Sequence, residues 1–314
     1  MKSTVYLNSI TSKNKDIIAD FILNGLNKIG EEFPGVSGDK LLLKPNFVTG
    51  IKGMELACTS REMLEAVFTI AKDKNLKIFL GDSPGFGSVK GICKTLKIID
   101  IVDHYGVKIL EFKRGLRMHV AVNGRNIPFV TISDELKDFE HIINLPKAKS
   151  HLQMTYTGAV KNHFGFICGK NKPVIHCRVD NNKVTFGKLL INLCKLIKCD
   201  LHIMDGIEAM DGNGGIRGDK YNLNKILISK DPLALDHVFS IIINVPDKEN
   251  HLLIAAEELG ETAAFLQNIE IVGELLDKAR VHDFSFPKFR NISFNPMHLV
   301  KSVSKSIVYK AMGK

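Results

Sequence analysis

Residues 141–165 read HIINLPKAKSHLQMTYTGAVKNHFG. The apolar run His141-Ile142-Ile143-Asn144-Leu145 has the length and composition of a short buried strand. It stops at Pro146, which has no N–H to offer a ladder. Lys147, Lys149 and His151 follow at two-residue spacing, so in an extended segment all three side chains leave one face. Thr155, Thr157 and Gly158 then lead into Ala159-Val160-Lys161-Asn162, which reads as the first turn of a helix. Cations and hydroxyls at the carboxyl end of a strand, beside a helix N-terminus, make a receptor for an anion. A solvated basic loop is the plain alternative. The density of polar groups among small and apolar residues favours a site.

The same pattern recurs on both sides of this stretch. Leu41-Leu42-Leu43 runs into Lys44-Pro45-Asn46, Ile78-Phe79-Leu80 into Gly81-Asp82-Ser83-Pro84-Gly85, and Leu201-His202-Ile203-Met204 into Asp205-Gly206. Continuous apolar strands are the habit of parallel sheets buried on both faces, and polar residues at their ends sit where such sheets bind ligands. Strands also read at 3–10, 225–229 and 269–274. Helical spacing runs over 16–29, 59–72 and 186–199, and again from Pro232 with Asp231 as its cap. Thr59 and Glu62 complete a capping-box pattern. The alternation predicts an α/β fold: a mostly parallel sheet flanked by helices, with an antiparallel hairpin insertion. That insertion is read over 107–132 from its Asn123-Gly124 step. Asp211-Gly212-Asn213-Gly214-Gly215 reads as a glycine-rich lid carrying Asp211. Residues 1–290 form the α/β domain, either as one body or as two lobes joined near 135–165. Residues 291–314 are a basic amphipathic helix.

The chain has 314 residues and a formal charge of +9, spread along its length rather than gathered in a tail. That balance suits an anionic ligand. Nucleic acid is disfavoured: there is no tryptophan, tyrosines number five, and aromatics nowhere alternate with arginines. The six cysteines, four of them between 168 and 199, contain no Cys-x-x-Cys. A ferredoxin-type iron–sulfur loop is therefore not written in this sequence. The start of the sequence has no apolar leader and no run is long enough to span a bilayer, so a reduced, cytoplasmic protein is expected. The tail helix presents Leu299, Val303 and Ile307 on one side and lysines on the other. Packing on its own domain is favoured over a membrane surface.

The segments LLLKPNFV, GDSPGFG, INLPKAKSHLQMTYTGAVKNHFGFICG, His176, IMDGIEAMDGNGGIRGD, SKDPLALDHV and IEIVGE occur in the order seen in the family called domain of unknown function 362. The chain resembles that family over about residues 40–275, most specifically in Thr-Gly-Ala-Val-Lys-Asn-His-Phe-Gly. The resemblance implies bacterial and archaeal relatives that often carry a ferredoxin-type module, and no settled activity. Two departures stand out: the ferredoxin cysteines are missing, and Gly214-Gly215 replaces the usual Gly-Pro, which loosens the lid. A fainter likeness of layout to the lactate racemase family, which also sets lysine and histidine after a strand, points to an anionic ligand class and transmits no chemistry.

Two functions compete. In the first, the protein is an oxidoreductase or isomerase acting on a small carboxylate, phosphate or anionic organic cofactor. Its catalytic groups come from His151, Lys161, His176 and Asp82. Lys44, Asn46, Ser83, Lys147, Thr157, Asn162, Asp205 and Asp211 bind the substrate, and the aspartates orient a histidine or hold a divalent cation. A redox version with electrons from a separate ferredoxin rests on the resemblance. In the second, the protein is a non-catalytic metal or cofactor binder built on His176, Asp205, Asp211 and the clustered cysteines.

Overall fold

The computed structural model describes residues 2–287 apart from 86, 123–124, 169–171, 173–174, 176–178 and 180–181. His176, the Asn123-Gly124 step and the 291–314 helix therefore lie outside the described residues.

Apolar strands alternate with amphipathic helices as the sequence pattern demands. The sheet is assembled from β1 (Ser3–Ser9), β2 (Lys40–Pro45), β3 (Lys77–Asp82), β4 (Lys108–Glu111), β7 (His141–Leu145), β10 (Leu201–Asp211), β12 (Lys225–Ser229) and β13 (Ile269–Gly273). Its order is β13-β1-β12-β10-β7-β2-β3-β4. Only β12 runs against its neighbours β1 and β10; every other pairing along this path is parallel. Short strands β8 (Lys147–His151), β9 (Thr155–Thr157) and β11 (Asp219–Tyr221) continue the sheet beyond β10.

Both faces of the sheet are covered, which is why Leu41, Leu42 and Leu43 are all fully buried. Leu41 and Leu43 join one core with the helices Lys15–Lys28 and Arg61–Asp73. Leu42 joins the other, with the helices Lys183–Leu196 and Pro232–Ile242. No helix among the described residues is long and apolar enough to cross a membrane.

The carboxyl ends of β3, β2, β7 and β10 point to one rim. From β2 the chain turns to β3 and β4 on one side, while β7 lies on the other. Such a reversal opens a crevice above the strand ends.

Three local readings change. Residues 108–111 are not part of the hairpin: β4 pairs parallel with β3 after the helix Ile99–His104, and the hairpin is only β5 (Gly115–Val122) with β6 (Arg125–Ser133). An Asn-Gly step specifies the strands that flank it and nothing further upstream. The strand from Leu201 does not end at Asp205-Gly206 but runs on to Asp211. The carboxylate of Asp205 is taken by Lys147 Nζ at 2.9 Å and Ser60 N at 2.8 Å, so the residue pairs in the sheet instead of turning. Finally, Ser60 rather than Thr59 caps the helix Arg61–Asp73, accepting from Met63 N.

Thr59 does different work. Its hydroxyl accepts from Asn46 N and donates to the Leu145 carbonyl, both at 2.8 Å, tying the ends of β2 and β7 together. Thr59→Val keeps the shape and strands two buried backbone groups. A loss of about 1–3 kcal/mol is expected, read as a lower urea midpoint with unchanged slope.

Candidate functional site

A cavity of about 590 Å³ opens on this rim. Lys44, Asn46, Asp82, Ser83, His151, Thr157, Lys161 and Asn162 line it, so most of the candidate residues, from three separate stretches of the chain, meet there. Lys147, Asp205 and Asp211 do not line it. Lys147 and Asp205 form their own buried ion pair, and Asp211 accepts from Ser285 N at 3.0 Å.

The floor is a buried ion pair. Lys44 Nζ lies 2.9 Å from Asp82 Oδ2, and both side chains are withdrawn from solvent. Lys44 also donates to the Pro45 carbonyl at 2.6 Å, and Asp82 accepts from Phe47 N and Ser83 N. Burial lowers the Lys44 pKa, and Asp82 opposes that shift. Glycine at 165 is required here: a Cβ would stand 2.4 Å from Lys44 Nζ and 2.5 Å from Asp82 Oδ1.

Beside this pair runs a chain of amides. Lys149 Nζ donates to Asn46 Oδ1 at 2.6 Å and to the Ala57 carbonyl at 2.7 Å. Asn46 Nδ2 donates to Asn162 Oδ1, and Asn162 Nδ2 donates to Asn144 Oδ1. Asn144 in turn meets His202 Nδ1 at 3.0 Å. Each amide both gives and receives, so the cavity wall is fixed in one arrangement.

Lys149, Lys161, Lys172 and Arg217 complete the cationic lining. Burial lowers Lys149 to about 7, and Lys161 and Lys172 each to about 8. Lys172 donates to the Ser83 carbonyl. Lys161 stands over the rings of Phe164 at 5.3 Å and Phe186 at 5.8 Å. Among the described residues it has no hydrogen-bond acceptor and no carboxylate partner. Thr157 Oγ1 is likewise buried with no partner among the described residues.

His151 Nδ1 accepts from Gln153 N at 3.1 Å and Met154 N at 3.3 Å. Two donors at Nδ1 assign the neutral ring's proton to Nε2. Against it lies the loop after β10, where Gly215 has φ +102°. Proline, whose ring fixes φ at a negative value, cannot take that angle. Ser150 Oγ donates to the Gly212 carbonyl, which holds this loop against β8.

The expected anion receptor at the start of Ala159–Asn162 is already filled. Asp236, 77 residues away in sequence, accepts from Ala159 N at 2.6 Å and from Val160 N at 2.9 Å. Burial raises its pKa to about 7. The helix end is capped from within, and the cations are what face the cavity. Among the described residues no group of three or more His, Cys, Asp and Glu is placed to hold a metal ion.

Lys149, Lys172 and Arg217 were not singled out by their sequence positions. Lys149 shared its two-residue spacing with Lys147, and only the strand opposite tells them apart: Asp205 lies across from Lys147, Met210 across from Lys149.

A model of the family described as Domain of unknown function (DUF362) matches residues 41–240. The thylakoid-associated protein sll1697 of Synechocystis sp. is 35% identical over 223 residues, 71% of this chain and 68% of that protein. Among solved structures, a Thermotoga maritima protein gives a TM-score of 0.43 at 13% identity, covering 68% of this chain and 56% of its own. The lactate racemase apoprotein from Thermoanaerobacterium thermosaccharolyticum gives 0.45 at 11%, covering 77% and 57%. This chain spans little more than half the length of either, and neither likeness bears on function. The family match extends from β2 into the helix Pro232–Ile242 and takes in every segment that builds the cavity up to Arg217: the chain belongs to the DUF362 family.

Proposed function

We propose that the cavity binds a small carboxylate- or phosphate-bearing molecule and that the protein is an enzyme acting on it. The observation that carries this reading is charge: five cationic side chains line the cavity against one carboxylate, Asp82, which is already paired with Lys44. Buried lysines with lowered pKa are unstable as cations until an anion joins them. Arg217, exposed at the mouth, and Lys172 meet the guest's charge, while Asn162 and the Nε2–H of His151 orient it. Lys161 is the reacting amine, since a lysine near 8 exists in both protonation states close to neutral pH.

Anion binding should take up protons. Lys149, Lys161 and Lys172 are partly neutral in the empty cavity above pH 7, and a bound anion raises their pKa. Affinity is therefore fullest below about pH 7 and falls as pH rises through the lysine values, by about tenfold or more up to pH 9. Calorimetric titration with pyruvate and inorganic phosphate, in buffers of different ionisation enthalpy, measures both effects. Arg217→Ala should weaken binding without unfolding the chain. Saturable binding that ignores pH and survives Arg217→Ala, or no binding by either anion, would sink the reading.

A further inference from the structure

Four lysines line the cavity, and three of them are engaged. Lys44 is held by Asp82, Lys149 by Asn46 and Ala57, and Lys172 by Ser83. Lys161 has only the faces of Phe164 and Phe186 against it, among the described residues. Thr157 Oγ1, in the same lining, is a fully buried hydroxyl left without a partner among the described residues. A half-buried amine with no acceptor among the described residues and a buried hydroxyl with none share one cavity. That pair is what a carbonyl carbon and its oxygen would satisfy.

We infer that Lys161 is a Schiff-base lysine: its Nζ condenses with the carbonyl carbon of an aldehyde or ketone that also bears a carboxylate or phosphate. This rests on the anion-binding reading, because the cations must hold the guest while the amine reacts. The neutral amine's lone pair attacks the carbonyl carbon and a C–N bond forms. The carbonyl oxygen takes up the two protons the amine nitrogen gives up, the C–O bond breaks and the oxygen leaves as water, with Thr157 Oγ1 hydrogen-bonded to it as it departs. One water is lost in total and nothing is oxidised or reduced. Lysine serves this chemistry when desolvation or neighbouring positive charge keeps it neutral. Both are present: burial is the first cause of its lowered pKa, and Lys172 the second. The lysines that donate to fixed oxygens are poorer nucleophiles because those oxygens favour the protonated amine, which has no lone pair.

The test uses the full chain with two probes, glyoxylate (carboxylate aldehyde) and pyridoxal 5′-phosphate (phosphate aldehyde), each reduced in place with borohydride and mapped by peptide mass spectrometry. The expected result is a single adduct, on Lys161, with at least one probe. Lys161→Arg, which keeps the charge, should lose the adduct, with inorganic phosphate binding read on the unsubstituted chain; Lys161→Met serves if the arginine variant does not fold. Phosphate binding with adducts spread over several lysines, or persisting in a folded Lys161 variant, overturns the inference and leaves the anion site standing. Failure of both probes and of inorganic phosphate to bind overturns the two together. The probe that reacts tells carboxylate from phosphate substrates.

Discussion

Asp82→Ala should cost about 3–5 kcal/mol of stability, the largest loss expected of any single change in the cavity. The reason is the partner left behind rather than the contact removed. Lys44 is fully buried, with Asp82 as its ionic partner. Its alternatives are to stay charged in an apolar site or to give up its proton, and both are unfavourable. Phe47 N and Ser83 N lose an acceptor in the same substitution. Urea unfolding followed by circular dichroism measures the effect. A loss below about 1 kcal/mol would mean that water reaches Lys44 and that the floor is not sealed.

Asp236→Ala should be nearly as severe, at about 2–5 kcal/mol, because it strands the buried N–H groups of Ala159 and Val160 together. The pH dependence gives a second reading of the same residue. Burial lifts its folded-state pKa to about 7, above the ordinary 3.8. A carboxyl whose pKa rises on folding stabilises most when protonated. Its contribution is full below the unfolded value and declines as pH rises from about 4 to about 7, then levels off. Asp236→Asn removes the titration, so its stability should vary less over that window than the parent's. Unfolding midpoints at several pH values compare the two proteins, and parallel curves would show that Asp236 is ionised throughout. A methyl at Gly158 would lie 2.0 Å from Asp236 Oδ1, so the glycine before this helix is part of the same arrangement.

The architecture was legible because it is written in local patterns. Leu41–Leu43, Ile78–Leu80 and Ile142–Ile143 announce strands buried on both faces, and the polar residues after them mark a common rim. The site was half legible. Lys44, Asn46, Ser83, Thr157 and Asn162 lie at strand ends or in the short helix at Ala159, and they do line the cavity. What a side chain meets across the sheet is not local. Lys147 and Lys149 look alike in sequence, yet pairing with Asp205 takes the first out of the cavity and leaves the second in it. Asp236 lies in a mostly apolar helix, and nothing nearby in sequence shows that it fills the helix end at Ala159. Asp205 and Asp211 suggested a turn and a lid because Asp-Gly steps favour turns. Their partners, Lys147 and Ser285, hold them in or beside the strand instead.

The place of β1 in the sheet bears on how the protein is made. Ser229 Oγ donates to the Thr4 carbonyl across 225 residues of sequence, and β1 finds its two neighbours only in β12 and β13. At ribosomal speeds of about 5–20 residues per second, that first strand waits roughly 10–45 s for a mate. During the wait Val5, Tyr6 and Leu7 form a short sticky edge on a nascent chain. A cell producing this protein therefore has reason to shield that strand with a holdase until translation nears residue 230, and ribosome-bound chains halted before that point should be the ones such a chaperone retains.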